Sequence, residues 1–435
     1  MTVNTLEGPP RHAAKQHAAF FRQSGWLMIS TVAGGAFTYF VHFLSKRIPE
    51  SQYSIFGTLL MVTACLPTLP LQMVFAQQTA RALVNQRERQ LSGLIRFTFL
   101  WIFLFWLVAA LLVLAFQGRI VQRWQLPDSA GLWVTTFTVL VSLVSPLFQG
   151  LLQGRQDFFT MGWCVSLGGL LRFVIAAVAV LVLGWGSTGM ILGAGLSLAL
   201  GLIYAVWQTR DLWSLPREPF DGGPIVRQVM PLIFGFWACQ FLFTADTMFS
   251  KAYFSGEEMA PYLAAGTMSR ALLWLVLPLA SVMFPKIVHS SAKAEKTDLL
   301  KLVLAGTGVL AIGGVLGLWL LGPIAVRIVY TPEYVQPTMR LLPWYAGAMV
   351  PLALANVLIN DLLARGRIRV VPAIVFLAVA YAFTLPYILN HYPRKLETVL
   401  QTLGVFNLLL LGAAAWAAFG KSEGRAEPAT VQSGG

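Results

Sequence analysis

Of the 435 residues, 57% are hydrophobic and only 11% charged, against about 25% charged in a typical soluble domain. That excludes a water-soluble globular protein and predicts an all-α, polytopic membrane bundle. The formal charge of +13 sits mostly in short connections, which points to retention on one membrane side and contact with anionic lipid, not to nucleic acid.

Residues 1–24 form a polar lead-in, expected to be cytoplasmic or interfacial. Within it, Arg11 to Arg22 (RHAAKQHAAFFR) predicts a short amphipathic helix on the membrane surface. No small-residue cleavage site follows the first apolar run, so it does not read as a signal peptide. A membrane span needs about 20 mostly apolar residues. Runs of that kind centre near Gly34, Val62, Phe105, Val141, Val174, Leu198, Gln240, Leu272, Leu310, Leu352, Phe376 and Leu409, which predicts about twelve crossings. They divide into an N-lobe at 25–209, a cytoplasmic inter-lobe loop at 210–227, and a C-lobe at 228–420. Residues 421–435 read as a flexible cytoplasmic tail. Cys65, Cys164 and Cys239 all fall inside spans and read as small packing residues, with no disulfide and no metal site.

With the amino terminus inside, the inner segments hold about 20 of the 31 Lys and Arg, and the outer loops about 9. Lys and Arg beside spans favour the cytoplasm, so both termini are expected there. Two local matches recur along the chain. Leu69-Pro70-Leu71 returns as Leu277-Pro278-Leu279, and Leu151-Leu152-Gln153-Gly154-Arg155 returns as Leu362-Leu363-Ala364-Arg365-Gly366-Arg367, at offsets of about 208 and 211. They predict two six-span lobes related by a pseudo-two-fold axis along the membrane normal. Pro67 and Pro70, with Pro278 and Pro285, interrupt corresponding helices and are candidate hinges.

A charged group within a span costs at least ~2.5 kcal/mol on insertion scales, so each one needs a reason. Arg172 falls near mid-depth of the fifth span, Asp246 in the outer third of the seventh, and Arg270 somewhat deeper in the eighth. At ~1.5 Å per residue, Asp246 and Arg270 lie within ~10 Å in depth. They form either a salt bridge pinning neighbouring helices or part of a substrate chamber. Tyr262, Gly266, Arg270 and Trp274 share one helix face and would present a cation between two aromatic rings. Thr31, Gly35, Thr38 and His42 share a face of the first span, as do Gln240 with Thr244 and Asn356 with Asn360. Such stripes are helix seams or chamber walls. Gly313 and Gly317 form a GxxxG and read as packing, and His42 as an interfacial residue.

The stretch Phe243 to Ile287 (FTADTMFSKAYFSGEEMAPYLAAGTMSRALLWLVLPLASVMFPKI) resembles the oligosaccharide flippases of the multidrug/oligosaccharidyl-lipid/polysaccharide exporter superfamily. The residues that carry the resemblance are Asp246, Tyr262, Arg270, Phe284, Pro285 and Lys286. Phe148 to Phe159 (FQGLLQGRQDFF) is similar to that family's loop after the fourth span, and Gln77 to Arg81 to the close of its second. The resemblance implies two six-helix lobes around a central, often cationic cavity that carries lipid-linked sugar from the inner to the outer leaflet. No further pair of spans like that of many lipid II flippases is present, and the first span lacks the carboxylate of many drug exporters.

The expected activity is flipping of a polyprenyl-diphosphate-linked oligosaccharide across a bacterial cytoplasmic membrane by alternating access, for cell-surface polysaccharide. Each unpaired hydroxyl costs several kcal/mol in hydrocarbon and a diphosphate far more, so such a head group needs a wet passage. Arg270, Arg172, Arg22, Tyr262 and Trp274 are the candidate substrate-binding residues. Asp246, Pro70 and Pro278 are the candidates for coupling or gating. No cofactor or metal is expected, and no Walker sequence is present. Expected partners are the lipid-linked oligosaccharide, membrane lipid, and glycosyltransferases or a polymerase of the same pathway. A drug or metabolite cation antiporter is the first rival. A membrane glycosyltransferase or ligase is the second, although the outer loops look too short to build such an active site.

Overall fold

The apolar runs become helices because in hydrocarbon every backbone N–H and C=O must be satisfied within its own segment. The computed structural model describes residues 11–220, 222–290, 296–364 and 367–420. Side chains of 11–24, 224–225, 228, 274–299, 302 and 364 lie outside that description. Among the described residues there are only helices: α1 (Arg11–Phe40), continued by a 3-10 turn Val41–Arg47, α2 (Glu50–Ala64), α3 (Thr68–Val84), α4 (Glu88–Arg123), α5 (Ala130–Gly154), α6 (Phe158–Leu181) and α7 (Gly186–Gln208). After the short α8 (Arg210–Trp213) come α9 (Gly223–Ser250), α10 (Gly256–Ser290), α11 (Lys296–Val329), α12 (Val335–Ala364), α13 (Val371–His391) and α14 (Leu396–Phe419). Eleven stretches of the described residues are long and apolar enough to cross a membrane, with α2 and α3 counted as one. The 35-residue α10 is the further helix of span length.

The same neighbours recur in two lobes. In the first, α1 packs on α6, α6 on α7, α3 on α5, α5 on α7 and α4 on α5. In the second, α9 packs on α13, α13 on α14, α10 on α12, α12 on α14 and α11 on α12. Each of these five contacts in the first lobe has its counterpart six spans later. The repeat extends to a single hydrogen bond. Asp157 N–H donates to Leu152 O at 2.9 Å behind α5, and Arg367 N–H donates to Leu362 O at 2.9 Å behind α12, 210 residues on. This bond from the residue past the helix end to one five positions back closes a helix whose next residue turns left-handed. In the first lobe that residue is Gln156, at φ 60°. Asp157 then caps α6 by accepting from Thr160 N–H at 3.1 Å.

Three expectations are corrected. Arg11 to Arg22 is no separate surface helix, because α1 runs unbroken from Arg11 to Phe40. The prolines are not symmetric breaks. Pro67, which has no N–H to donate, stands before α3 after a turn at 65–67, and Pro70 lies in the first turn of α3. By contrast α10 runs continuously through Pro278 and Pro285, whose side chains lie outside the described residues. Among the described residues the GxxxG of α11 makes no helix seam, since none of them lies within 4 Å of a Cβ built at Gly313 or Gly317.

The segment between the lobes is strapped to the first. Ser92 Oγ and Arg96 donate to the carbonyls of Trp213 and Leu215, Arg155 pairs with Asp211 at 2.8 Å, and Arg89 pairs with Glu218 at 3.4 Å. Cys65, Cys164 and Cys239 are free thiols.

Candidate functional site

Two polar clusters lie in the membrane-spanning region, one inside the second lobe and one between the lobes. The first centres on Asp246, which is fully buried on α9. A lone carboxylate there would be prohibitively placed, and its neighbours compensate it completely. Arg270 Nη2 on α10 donates to Asp246 Oδ1 at 2.9 Å. Tyr262, two turns earlier on α10, donates to Oδ2 at 2.7 Å, and Tyr345 of α12 donates to the same oxygen. Arg270 also donates to Thr247 Oγ1 at 3.0 Å and to the carbonyl of Phe243 at 3.2 Å. A buried ion pair survives only when such extra hydrogen bonds satisfy its remaining lone pairs and protons.

Arg270 lies between aromatic rings, as its helix face suggests; among the described residues they are Phe243 and Tyr345. Its Cζ is 5.2 Å from the Phe243 centroid and 5.3 Å from that of Tyr345. Trp274, the expected second ring, has its side chain outside the described residues. Tyr262 is spent on Asp246 and is fully buried, and Gly266 lets the Tyr345 ring approach to 3.0 Å of where a Cβ would stand. One arm of the guanidinium, Nη1, has no partner among the described residues, nor has the buried Tyr381 hydroxyl of α13.

The second cluster lies at the end of the bundle remote from the start of α1 and the end of α14, called here the distal end. His42 is buried there, in the turn that ends the first span, and its Nδ1 hydrogen-bonds the Tyr53 hydroxyl at 2.8 Å. Tyr53 of α2 in turn hydrogen-bonds the hydroxyl of Tyr330, just past α11, at 2.9 Å. That bond crosses from one lobe to the other. Lys46 Nζ crosses too, donating to the carbonyls of Arg327 and Ile328 at the C-terminal end of α11. Lys251 Nζ donates back to Ser54 Oγ at 2.8 Å. Deeper along the seam, Gln240 Nε2 donates to the Ala64 carbonyl at 2.9 Å, where the break before Pro67 has left it without a helical partner. One apolar core joins the lobes along this half, with Phe56 and Leu59 beside Leu242 and Leu263. Phe75, Leu147, Leu151 and Leu212 belong to a separate core confined to the first lobe.

The other candidates are dispersed. Arg172 is half-buried on α6, apart from the Asp246 cluster, and its buried Nε has no partner among the described residues. It lies within electrostatic reach of His42. Arg22 has its side chain outside the described residues. On α1, Gly34 and not Gly35 makes the described helix contact: a Cβ at Gly34 would stand 2.7 Å from the Val165 carbonyl, while no described residue lies within 4 Å of one at Gly35. Asn360 donates to Asn356 at 2.9 Å, both half-buried on α12. Tyr345, Tyr53, Tyr330 and Lys251 belong to these clusters although no spacing in the sequence singles them out. A buried tyrosine hydroxyl seeks a polar partner, so tyrosines within spans were the signal that pairs with a lone in-span carboxylate.

No family model and no curated protein sequence matches the chain. Solved structures do resemble it. An inward-facing multidrug resistance MATE family transporter of the MOP superfamily superposes at TM-score 0.73, with 12% identity over 92% of this chain and 97% of that one. The lipid II flippase MurJ, in an inward closed conformation, gives 0.66 with 12% identity over 91% and 87%. An outward-facing MATE family transporter gives 0.57 with 13% identity over 92% and 94%. The likeness is greater to the inward-facing arrangement, in agreement with lobes joined at one end, and the chain therefore has the two-lobed fold of MOP superfamily transporters.

Proposed function

We propose that this protein flips a polyprenyl-diphosphate-linked oligosaccharide across the bacterial cytoplasmic membrane, alternating between the conformation described here and one opened at the distal end. Both termini would be cytoplasmic, following the 20-to-9 division of Lys and Arg. The observation that carries the reading is the charge balance of the spans. Asp246, fully buried, is neutralised by Arg270 and two tyrosines, whereas Arg172 has no carboxylate partner among the described residues and its buried Nε no hydrogen-bond partner there. A cationic drug gains little from a carboxylate already matched, while a diphosphate gains from an unmatched guanidinium. The head group would pass between the lobes with its prenyl tail left in lipid. An inside-negative potential favours outward movement of anions by ~2.3 kcal/mol per charge per 100 mV, which supplies a driving force without ATP.

This reading moves the substrate contact from Arg270 to Arg172. Purified protein in vesicles carrying a lipid-linked oligosaccharide should expose the sugar on the opposite leaflet. Arg172→Ala should abolish flipping and Arg172→Lys should keep part of it, because lysine remains a point charge without the fork. Full flipping by Arg172→Ala would overturn the assignment. Efflux of organic cations, with no sugar exposed, would favour the antiporter.

A further inference from the structure

The turn between α9 and α10 carries Tyr253, and two arginines from different lobes converge on its ring. Arg123, the last residue of α4 in the first lobe, holds its Cζ 4.5 Å from the ring centroid. Arg394, in the connection between α13 and α14 of the second, holds its Cζ at 5.6 Å. Asn390 donates to the Tyr253 hydroxyl at 3.2 Å, and Arg394 Nε donates to the Leu389 carbonyl, so the ring and one arginine are fixed in place. Neither guanidinium has a carboxylate partner among the described residues. Two like charges are thus held on one ring with no counter-charge described beside them.

Their depth says what could supply one. The lipid-facing apolar surface of α4 runs to Phe116, which is 46% exposed. Arg119 lies over that ring, and Arg123 stands seven residues beyond Phe116, about 10 Å further along the axis. On α13 the exposed Phe383 and Tyr387 mark the same boundary, and Arg394 lies just past the helix end. Both arginines therefore sit where a bilayer changes from hydrocarbon to headgroups, a layer several ångströms deep on each side. Guanidinium groups match phosphate oxygens in pairs, and basic pockets between spans take anionic headgroups.

We infer that Arg123, Tyr253 and Arg394 form a phosphate-binding site at the distal rim, occupied by the headgroup of an anionic phospholipid. Because the arginines belong to opposite lobes, a bound phosphate ties the lobes together and favours the conformation described here. The inference is independent of which cargo the protein carries.

The test is thermal unfolding of the full-length protein in neutral detergent, titrated with short-chain phosphatidylglycerol, phosphatidylcholine or inorganic phosphate. Phosphatidylglycerol should raise the midpoint. Arg123→Gln and Arg394→Gln should each raise the concentration needed for half the effect roughly tenfold, the loss expected for one charged hydrogen-bonding partner. The double variant should lose little more, since one phosphate needs both partners. Arg123→Lys should fall between, and Arg369→Gln, an exposed arginine outside the site, should respond as the parent does. A rise with phosphatidylglycerol alone assigns the lipid, and an equal rise with inorganic phosphate supports the phosphate site but replaces the lipid as its source. A response that both glutamine variants leave unchanged, or no response to any anion, overturns the site.

Discussion

Lys251 and Ser54 meet across the seam between the lobes, with the ammonium at the end of α9 donating to a hydroxyl on α2 at 2.8 Å and both side chains buried. Burial disfavours the charged form and lowers the Lys251 ammonium from 10.5 to about 8. If the lobes part, it meets water and returns to its ordinary value. Between pH 8 and 10.5 the open form then binds more protons than the closed one, so closure gains as pH rises through that window. The open-to-closed ratio should fall by up to about tenfold per pH unit there and stay flat below 8. Spin labels at Ser51→Cys and Glu257→Cys, in a chain lacking its three native cysteines, would report the distance across the seam. Lys251→Met should remove the pH response, and a response that persists in Lys251→Met sinks this account.

The pair Asp246–Arg270 should behave as a unit. Asp246→Asn strands a guanidinium in the core of the second lobe, and Arg270→Gln strands a carboxylate held by two tyrosines. Removing one partner of a buried pair costs about 3–5 kcal/mol, so each single variant should unfold at clearly lower temperature. The double variant Asp246→Asn/Arg270→Gln should recover most of the loss. Strictly additive losses would mean that the two side chains act separately, against the 2.9 Å contact.

Adjacent glycines on α1 should respond in opposite ways. A Cβ at Gly34 would stand 2.7 Å from the Val165 carbonyl, and one at Gly169 of α6 only 2.3 Å from the Gly34 carbonyl. Alanine at either position must push two helix backbones apart, at a cost of about 1–3 kcal/mol. Alanine at Gly35, Gly313 or Gly317 meets none of the described residues within 4 Å and should stabilise the helix by up to about 1 kcal/mol. Thermal unfolding of the five single variants measures the contrast. Equal destabilisation by Gly34→Ala and Gly35→Ala would contradict the α1–α6 contact.

These glycines also show where sequence reading stops. Apolar runs reveal spans because hydrocarbon imposes one requirement on every segment, and the 210-residue repeat surfaces in Leu152 and Leu362 because the same helix ending is built twice. In-span charge gave Asp246 and Arg270 as possible partners by depth alone. A period of 3.6 residues assigns a side chain to a face but not to a neighbour. The period therefore presents Gly35 and the α11 glycines as candidate seams, and Tyr262 as a chamber residue, although Tyr262 is committed to Asp246. Tyr345 comes from a helix 99 residues away from Asp246, and only the packing of α12 on α10 brings it there.

The chain of three rings at the distal end should respond asymmetrically to loss of its two hydroxyls. Tyr53 is central, hydrogen-bonded to His42 at 2.8 Å in its own lobe and to Tyr330 at 2.9 Å in the other. Tyr330→Phe removes the Tyr53–Tyr330 bond but leaves Tyr53 satisfied by His42, with Thr267 of the other lobe also within its reach. Tyr53→Phe removes both bonds, and in the closed seam no other described residue is hydrogen-bonded to His42 Nδ1, whereas Tyr330 keeps Thr267 within reach. An unsatisfied buried polar group costs about 1–3 kcal/mol, more than a satisfied pair contributes net. Tyr53→Phe should therefore shift the equilibrium towards distal opening by roughly tenfold, and Tyr330→Phe by about threefold or less. Replacing His42 as well, in Tyr53→Phe/His42→Leu, removes the stranded nitrogen and should return part of the closed population, because apolar replacement of both partners is nearly neutral. The same pair of spin labels reads all three variants. If Tyr330→Phe opened the seam as far as Tyr53→Phe, and His42→Leu restored nothing, the closed state would depend on the bond between the lobes alone and not on the satisfaction of His42.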